Sequence, residues 1–167
     1  MTLVEILVST GIGVLAITAV CSFYFFSNRS FAAQYNYVDM DQFSHKALDQ
    51  LSQQIRQVKA LTAFTTNRLV FTDYDDATLS FTYDKSSRTL VRAKGTQRDV
   101  LLTGCDSLTF SIFQRNPVGG TYDQYPAADL ATCKLVQVQW LCSRQLFGNV
   151  QLNTESMQSA KIVIRRP

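Results

Sequence analysis

The carboxylate of Glu5 has the most unusual chemical setting in the sequence, because it lies at the start of a long apolar segment. Residues 6–26 contain no charged side chain, and Glu5 is the only charged residue before Arg29. An ionised carboxylate beside apolar surroundings is costly unless a cation lies close to it, and an α-ammonium group is the nearest natural partner. Glu5 therefore predicts an ion pair. The alternative is a carboxylate in the lipid headgroup layer or near the positive end of a helix.

Residues 6–26 are long enough to cross a membrane. As a helix, about 21 residues at about 1.5 Å each extend roughly 32 Å, which is close to the hydrocarbon thickness of a bilayer. No Lys or Arg precedes this segment and no Ala-x-Ala-like cleavage site follows it, which disfavours a cleavable secretory signal. We therefore expect a mature product from which a basic leader has been removed just before Met1.

Three of the four cysteines, Cys105, Cys133 and Cys142, follow the apolar half and are candidates for disulfide chemistry if the chain is exported. A straight strand between Cys133 and Cys142 would separate them by roughly 30 Å, far beyond the roughly 7 Å between the Cα atoms of a disulfide. If the predicted strands after Cys105 and before Cys142 pair antiparallel, these two residues meet. We expect a Cys105–Cys142 disulfide; the alternative is that the thiols are buried as small hydrophobic side chains.

Other candidates for catalytic or metal chemistry are weak. His45 is the only histidine and lies on the predicted polar side of a helix, which favours a solvated residue over a catalytic base. Asp73, Asp75 and Asp76 could bind a hard cation such as calcium, but acids between two strands more often form a turn. No Ser-His-Asp arrangement is indicated. The sequence therefore predicts no enzyme, no cofactor and no metal site.

The charge balance gives little reason to expect nucleic-acid binding. The chain has 167 residues with 16 Lys and Arg against 13 Asp and Glu, a net charge of +3. These basic residues are scattered, apart from the pair Arg165 and Arg166, whereas a nucleic-acid interface usually needs a clustered basic face. We expect no specific nucleic-acid partner and a single domain after the apolar segment.

One long helix must carry Glu5 and the apolar segment. The sequence predicts a helix over about residues 2–60, because the stretch after residue 27 keeps apolar residues three and four apart without Gly or Pro. This predicts an apolar half at 1–27, an amphipathic half at 28–60 packed on the chain's own sheet, and a β part at 61–167. The residues that define the amphipathic face are Phe31, Tyr35, Val38, Leu48, Leu51, Ile55 and Val58.

After residue 67 the apolar pattern alternates, which is typical of strands. The segments are "RLVFT", "TLSFTY", "RTLVRA", "DVLLT", "SLTFSIF", "LVQVQWL" and "AKIVIR". An antiparallel meander is the simplest assembly, and the fold class is α+β. The residues expected to face the helix are Leu69, Phe71, Leu79, Phe81, Leu90, Phe110, Ile112, Val136, Val138 and Trp140.

The amino-terminal sequence "MTLVEILVSTGIGVLAI" resembles the processed amino terminus of type IV pilins and type II secretion pseudopilins. The shared features are a hydrophobic first residue, Thr2, Leu3 and Glu5, followed by a helical apolar run. Met1 departs from the commoner Phe, and no proline precedes Pro117. The strand order of residues 61–167 is similar to pseudopilin J and minor pilin W. The resemblance implies a pilin fold, in which a long helix packs on a small antiparallel sheet.

This resemblance also implies a function. A prepilin peptidase would cleave before Met1 and methylate its amine, and Glu5 would neutralise the Met1 amine of a neighbouring copy in a helical filament. The chain would be an inner-membrane protein first, would contact the membrane assembly machinery, and would end in an extracellular filament. The alternatives are a minor or initiating subunit, and a single-pass anchored binding domain that does not polymerise. The residues expected in the filament core are Leu3, Ile6, Leu7, Ile12, Val14, Leu15, Ile17 and Phe23.

Overall fold

A computed structural model describes residues 2–115, 124–127, 129–146 and 149–165. Its first element is helix α1, Leu3–Gln57, of 55 residues. Thr2 has extended backbone angles and caps the first turn, and Val58 is extended at the other end. The predicted long helix is confirmed, although it ends about three residues earlier than expected because the chain becomes extended at Val58.

Within the described residues, nine antiparallel strands follow α1 and form two sheets. The first sheet has the order β1-β2-β3-β4-β5, and the second has the order β7-β6-β8-β9. A 3₁₀ turn, Leu130–Thr132, precedes β8. The strands are β1 Ala60–Thr65, β2 Arg68–Thr72, β3 Thr78–Asp84, β4 Thr89–Lys94, β5 Gln97–Thr103, β6 Cys105–Arg115, β7 Gln124–Pro126, β8 Leu135–Leu146 and β9 Asn149–Val163.

The α+β fold class is confirmed, but the strands form two sheets and not one continuous meander. The meander ends at Gly104, the one residue between β5 and β6, which has a φ of +71°. A Cβ at this position would lie 3.1 Å from the Ser143 carbonyl oxygen. Only glycine therefore fits both the left-handed backbone and the close approach of β8. After this turn β6 pairs with β7 and β8, which starts the second sheet.

Arg88 connects the two sheets beside Gly104 through hydrogen bonds and an ion pair. Its guanidinium donates to the carbonyl oxygens of Gly104 at 3.2 Å and Ser143 at 2.9 Å, and it pairs with Asp106 at 2.5 Å. The Tyr83 hydroxyl, on β3, donates to the carbonyl oxygen of Asp106 on β6 at 2.9 Å. These contacts satisfy backbone carbonyls where the strand ladder is interrupted.

The helix and both sheets share one hydrophobic core. The ten strand residues predicted from alternation are all buried, which confirms them as core residues. The helix residues that enter this core follow spacings of three and four, as one face of an α-helix requires. They are Met40, Ser44, Ala47, Leu51 and Ile55.

The predicted amphipathic face needs one correction. Phe31, Tyr35 and Val38 are exposed, while Leu51 is fully buried. At about 100° per residue, these three side chains lie about 140–160° around the helix from Leu51. They form a second apolar stripe on the opposite side of α1. The packing of the helix on its own sheets, expected from residue 28, has its first buried residue at Met40.

Candidate assembly surface

The first half of α1 presents apolar side chains that its own domain does not cover. The eight residues predicted for a filament core are all exposed, from 53% for Ile6 to 79% for Leu3. The most apolar window of α1 has none of its residues buried and is long and apolar enough to cross a membrane. Such a surface needs lipid or other apolar helices around it.

Three hydroxyl side chains within this half, those of Ser9, Thr10 and Thr18, are satisfied by the helix itself. The hydroxyls of Ser9, Thr10 and Thr18 donate to backbone carbonyls three or four residues earlier, at 2.6–2.9 Å. Such bonds remove the need for water, which is the condition that a helix must meet in lipid or in a dry bundle. The hydroxyls therefore do not conflict with an apolar environment around residues 6–26.

The second apolar stripe extends this surface beyond the membrane-length segment. Phe31, Tyr35 and Val38 are each more than half exposed. Tyr24 lies seven residues before Phe31, two helical turns away, and so falls on the same side of the helix. Tyr24 is also exposed. Exposed aromatic and aliphatic side chains thus extend from Tyr24 to Val38 on the side of α1 that faces away from the core residue Leu51, interrupted by the polar Ser27 and Asn28.

Glu5 is held at the start of α1 by a reciprocal capping box with Thr2. The Thr2 amide donates to Glu5 Oε2 at 2.8 Å, and the Thr2 hydroxyl donates to the same oxygen at 3.3 Å. The Glu5 amide in turn donates to Thr2 Oγ1 at 3.4 Å. This role of Thr2 was not predicted from the sequence, although the spacing Thr-x-x-Glu before an apolar run is a known signal for it.

The capping box leaves part of the Glu5 carboxylate available. Both hydrogen bonds from Thr2 reach Oε2, and within the described part of the chain no donor reaches Oε1. The predicted partner, the Met1 amine, lies outside the described residues. The Glu5–Met1 ion pair therefore stays a prediction, as do the cleavage before Met1 and its methylation.

Cys105 and Cys142 are directly opposite each other in the β6–β8 ladder. Both residues are buried, and both are thiols in this structure. The hydrogen bond to Cys142 and burial raise the pKa of the Cys105 thiol. The predicted antiparallel register that brings these cysteines together is thus present. Cys133 precedes β8 and its thiol donates to the Leu135 carbonyl oxygen at 3.6 Å.

The acidic turn between β2 and β3 is neutralised by lysines. Lys94 Nζ lies 2.6 Å from Asp73 and 2.8 Å from Asp75, and Lys59 Nζ lies 2.6 Å from Asp76. The hydrogen bond from Lys94 lowers the pKa of Asp75. Among the described residues no group of His, Cys, Asp and Glu is arranged to hold a metal ion. These carboxylates act as a turn paired with Lys94 and Lys59.

His45 lies on the helix surface, as the sequence predicts. Its side chain is 60% exposed and its Nε2 lies 3.4 Å from Asp41, one turn earlier. Asp41 also accepts a hydrogen bond from Gln158 of β9 at 3.3 Å. Exposure of this kind makes His45 a solvated residue beside the contact between helix and strand.

Comparison with known proteins gives no assignment, since neither a family model nor a curated protein matches this chain. The layout is nevertheless compatible with a pilin-like fold, because one long amino-terminal helix, apolar in its first half, packs on antiparallel sheets.

Proposed function

We propose that this chain is a structural subunit of a type IV pilus-like extracellular filament. It polymerises through the first half of α1, with Glu5 neutralising the Met1 amine of a neighbouring copy. The observation that carries this proposal is the exposed apolar half of a 55-residue helix, which begins with a capped carboxylate. A prepilin peptidase and an inner-membrane assembly machine are the partners before polymerisation.

Energetics explain why a carboxylate belongs at this position. Moving an apolar helix from lipid into a bundle of apolar helices gives little hydrophobic gain, since lipid tails are as apolar as Leu side chains. The exposed residues therefore permit assembly without fixing the axial position of each copy. An ion pair between Glu5 and a neighbouring ammonium is strong where the dielectric constant is low, and it forms only in one register. Oε1 of Glu5 is the oxygen available for it.

Substitution of Glu5 by Gln tests this proposal directly. Gln at the third helical position retains the capping box but has no charge. We expect Glu5→Gln to remain in the membrane fraction at the wild-type level and to reduce surface filaments at least about tenfold, because a buried neighbouring ammonium loses its counter-ion. Glu5→Asp is the charge-retaining control. Filaments at the wild-type level in Glu5→Gln would contradict the proposal.

Two alternatives give different outcomes in the same experiment. A minor or initiating pseudopilin would be present only in trace amounts in sheared filaments, and its Glu5→Gln variant would lower the number of filaments that start. A membrane-anchored binding domain would be unaffected. The second alternative has one supporting observation, a groove of about 600 Å³ between α1 and β5. In this groove Arg92 is already bonded to Gln54 at 2.7 Å and to Asp99 at 2.8 Å.

A further inference from the structure

The pair Cys105 and Cys142 has the geometry that a disulfide requires. Directly opposed residues of antiparallel strands have Cα atoms about 4.5–5.5 Å apart, which falls within the range of about 4.4–6.8 Å seen for disulfides. The Cys105 amide donates to the Arg88 carbonyl oxygen at 2.9 Å and not to β8. A bulge follows Cys105 in the β6–β8 ladder, and the Ser143 amide donates to the Gly104 carbonyl oxygen at 3.0 Å.

Helix α1 covers this pair. Ser44, on the buried face of the helix, is 1% exposed, and its hydroxyl has no hydrogen-bond partner among the described residues. The helix contacts β8, the strand that carries Cys142. The Cys105 thiol and, to a smaller extent, the Ser44 hydroxyl lower the pKa of the Cys142 thiol. With Cys105 and Cys142 at 0% and 1% exposure, a protein oxidant cannot reach either sulfur in the packed fold.

We infer that Cys105 and Cys142 are oxidised to a disulfide before the Ser44 face of α1 packs on β8, and that the packed helix then shields this bond from reductants. The sequence predicts the pairing alone. The order of events follows from the burial of both sulfurs in the packed fold. Export of the chain would thus leave a short period in which the thiols are accessible to an oxidant. This access ends when the helix packs on the sheet.

The oxidation is an exchange with a disulfide-bonded oxidoreductase. One cysteine thiolate attacks the disulfide of the oxidant, which forms a mixed disulfide and releases one thiolate of the oxidant. The second cysteine, after losing its proton, attacks the sulfur of the first cysteine and releases the other thiolate. Two thiols thus lose two protons and two electrons, and the oxidant becomes a dithiol.

Tryptic digestion of the unreduced full-length chain tests the pairing, because Lys and Arg separate the three cysteines of the β part. Cys105 falls in peptide 99–115, Cys133 in peptide 116–134 and Cys142 in peptide 135–144. After alkylation of free thiols in denaturant, we expect peptides 99–115 and 135–144 to be linked and peptide 116–134 to carry the alkyl label. Cys133→Ser should leave the link intact. Alkylation of both Cys105 and Cys142 would overturn the inference, and so would a disulfide from either of them to peptide 116–134.

Reduction rates test the covering helix. We expect the disulfide of the folded chain in detergent to be reduced at least about tenfold more slowly than that of the denatured chain, because reduction requires local opening. Asp39 of α1 pairs with Arg144 of β8 at 2.5 Å, about one turn from Ser44. Loss of this pair should favour helix opening, so Asp39→Asn should speed reduction of the folded chain about two- to fivefold.

Asp99→Asn is the matched control, since Asp99 forms a partly buried pair of the same kind with Arg92 on the first sheet at 2.8 Å. This variant should leave the rate of reduction unchanged. Equal reduction rates in the folded and denatured wild-type chain, or equal effects of Asp39→Asn and Asp99→Asn, would contradict the assignment of α1 as the cover.

Discussion

Thr2 and Glu5 exchange hydrogen bonds across the first turn of α1. The Thr2 amide donates to Glu5 Oε2 at 2.8 Å, and the Glu5 amide donates to Thr2 Oγ1 at 3.4 Å. The cap orients the carboxylate towards the end of the helix, and Oε1 accepts no bond from the described residues. Glu5 therefore has two separable roles, one in starting its own helix and one proposed in binding a neighbouring copy.

Thr2→Val separates these roles, because it removes the capping hydroxyl and leaves the charge of Glu5. We expect a loss of about 1 kcal/mol in the stability of the helix start, the usual cost of losing a cap. Filament yield should remain within about fivefold of wild type, since a change of about 1 kcal/mol alters an equilibrium about fivefold. Electron microscopy of sheared filaments measures the yield. Loss of filaments as complete as in Glu5→Gln would show that the cap, and not the charge, is essential.

The two apolar stripes of α1 predict unequal effects of alanine substitution on the stability of the domain. Leu51 is fully buried, so Leu51→Ala should lower the free energy of unfolding by about 2–5 kcal/mol. Tyr35 is 75% exposed on the other side of the helix, so Tyr35→Ala should change it by less than about 0.5 kcal/mol. Chemical denaturation followed by Trp140 fluorescence provides the measurement. A large loss in Tyr35→Ala would mean that this stripe packs within the subunit.

The turn between the two sheets predicts unequal costs for two glycine substitutions. Gly95 and Gly104 both have left-handed φ angles, so alanine at either position should cost about 1–2 kcal/mol. Only at Gly104 would the new Cβ lie 3.1 Å from the Ser143 oxygen, while nothing lies within 4 Å at Gly95. Gly104→Ala should therefore cost about 1–3 kcal/mol more. Equal thermal unfolding midpoints for the two variants would disprove the close approach of β8.

Lys94 of β4, which pairs with the acidic turn, predicts a pH-dependent contribution to stability. Its hydrogen bond lowers the folded-state pKa of Asp75 below the ordinary value of 3.8. A carboxyl with a lowered pKa stabilises the fold above its unfolded pKa, and this contribution is lost as the pH falls through the folded value. Lys94→Met should therefore lower the thermal midpoint near neutral pH and lower it less in acid. A difference from wild type that stays constant with pH would argue against the pairing.

The helix and the core could be predicted from the sequence because both depend on local periodicity. Leu51 and Ile55 fall at helical spacing, and Phe71, Phe81 and Val138 alternate along strands. The opposition of Cys105 and Cys142 followed from the same alternation, since a one-residue slip would turn the buried side chains to the other face.

Features that depend on contacts distant in sequence were not predicted. The pairing of Lys94 with Asp73 joins residues of different hairpins, and no local pattern signals it. The separation into two sheets depends on Gly104, whose role appears only when β8 approaches it. Strand β1 directly follows the helix without a Gly or Pro to mark the change. Phe31, Tyr35 and Val38 have helical spacing among themselves. Their angular offset from Leu51 around the helix axis places them on the opposite face.

Mass spectrometry of filaments sheared from the cell surface tests the central claim most directly. Trypsin should release a peptide that starts at Met1 and ends at Arg29. The proposal predicts that this peptide carries a methylated α-amine and is among the most abundant in the preparation. A methylated peptide in trace amount would indicate a minor or initiating subunit. Absence of the peptide from filaments, with the intact chain in the membrane fraction, would contradict polymerisation through α1.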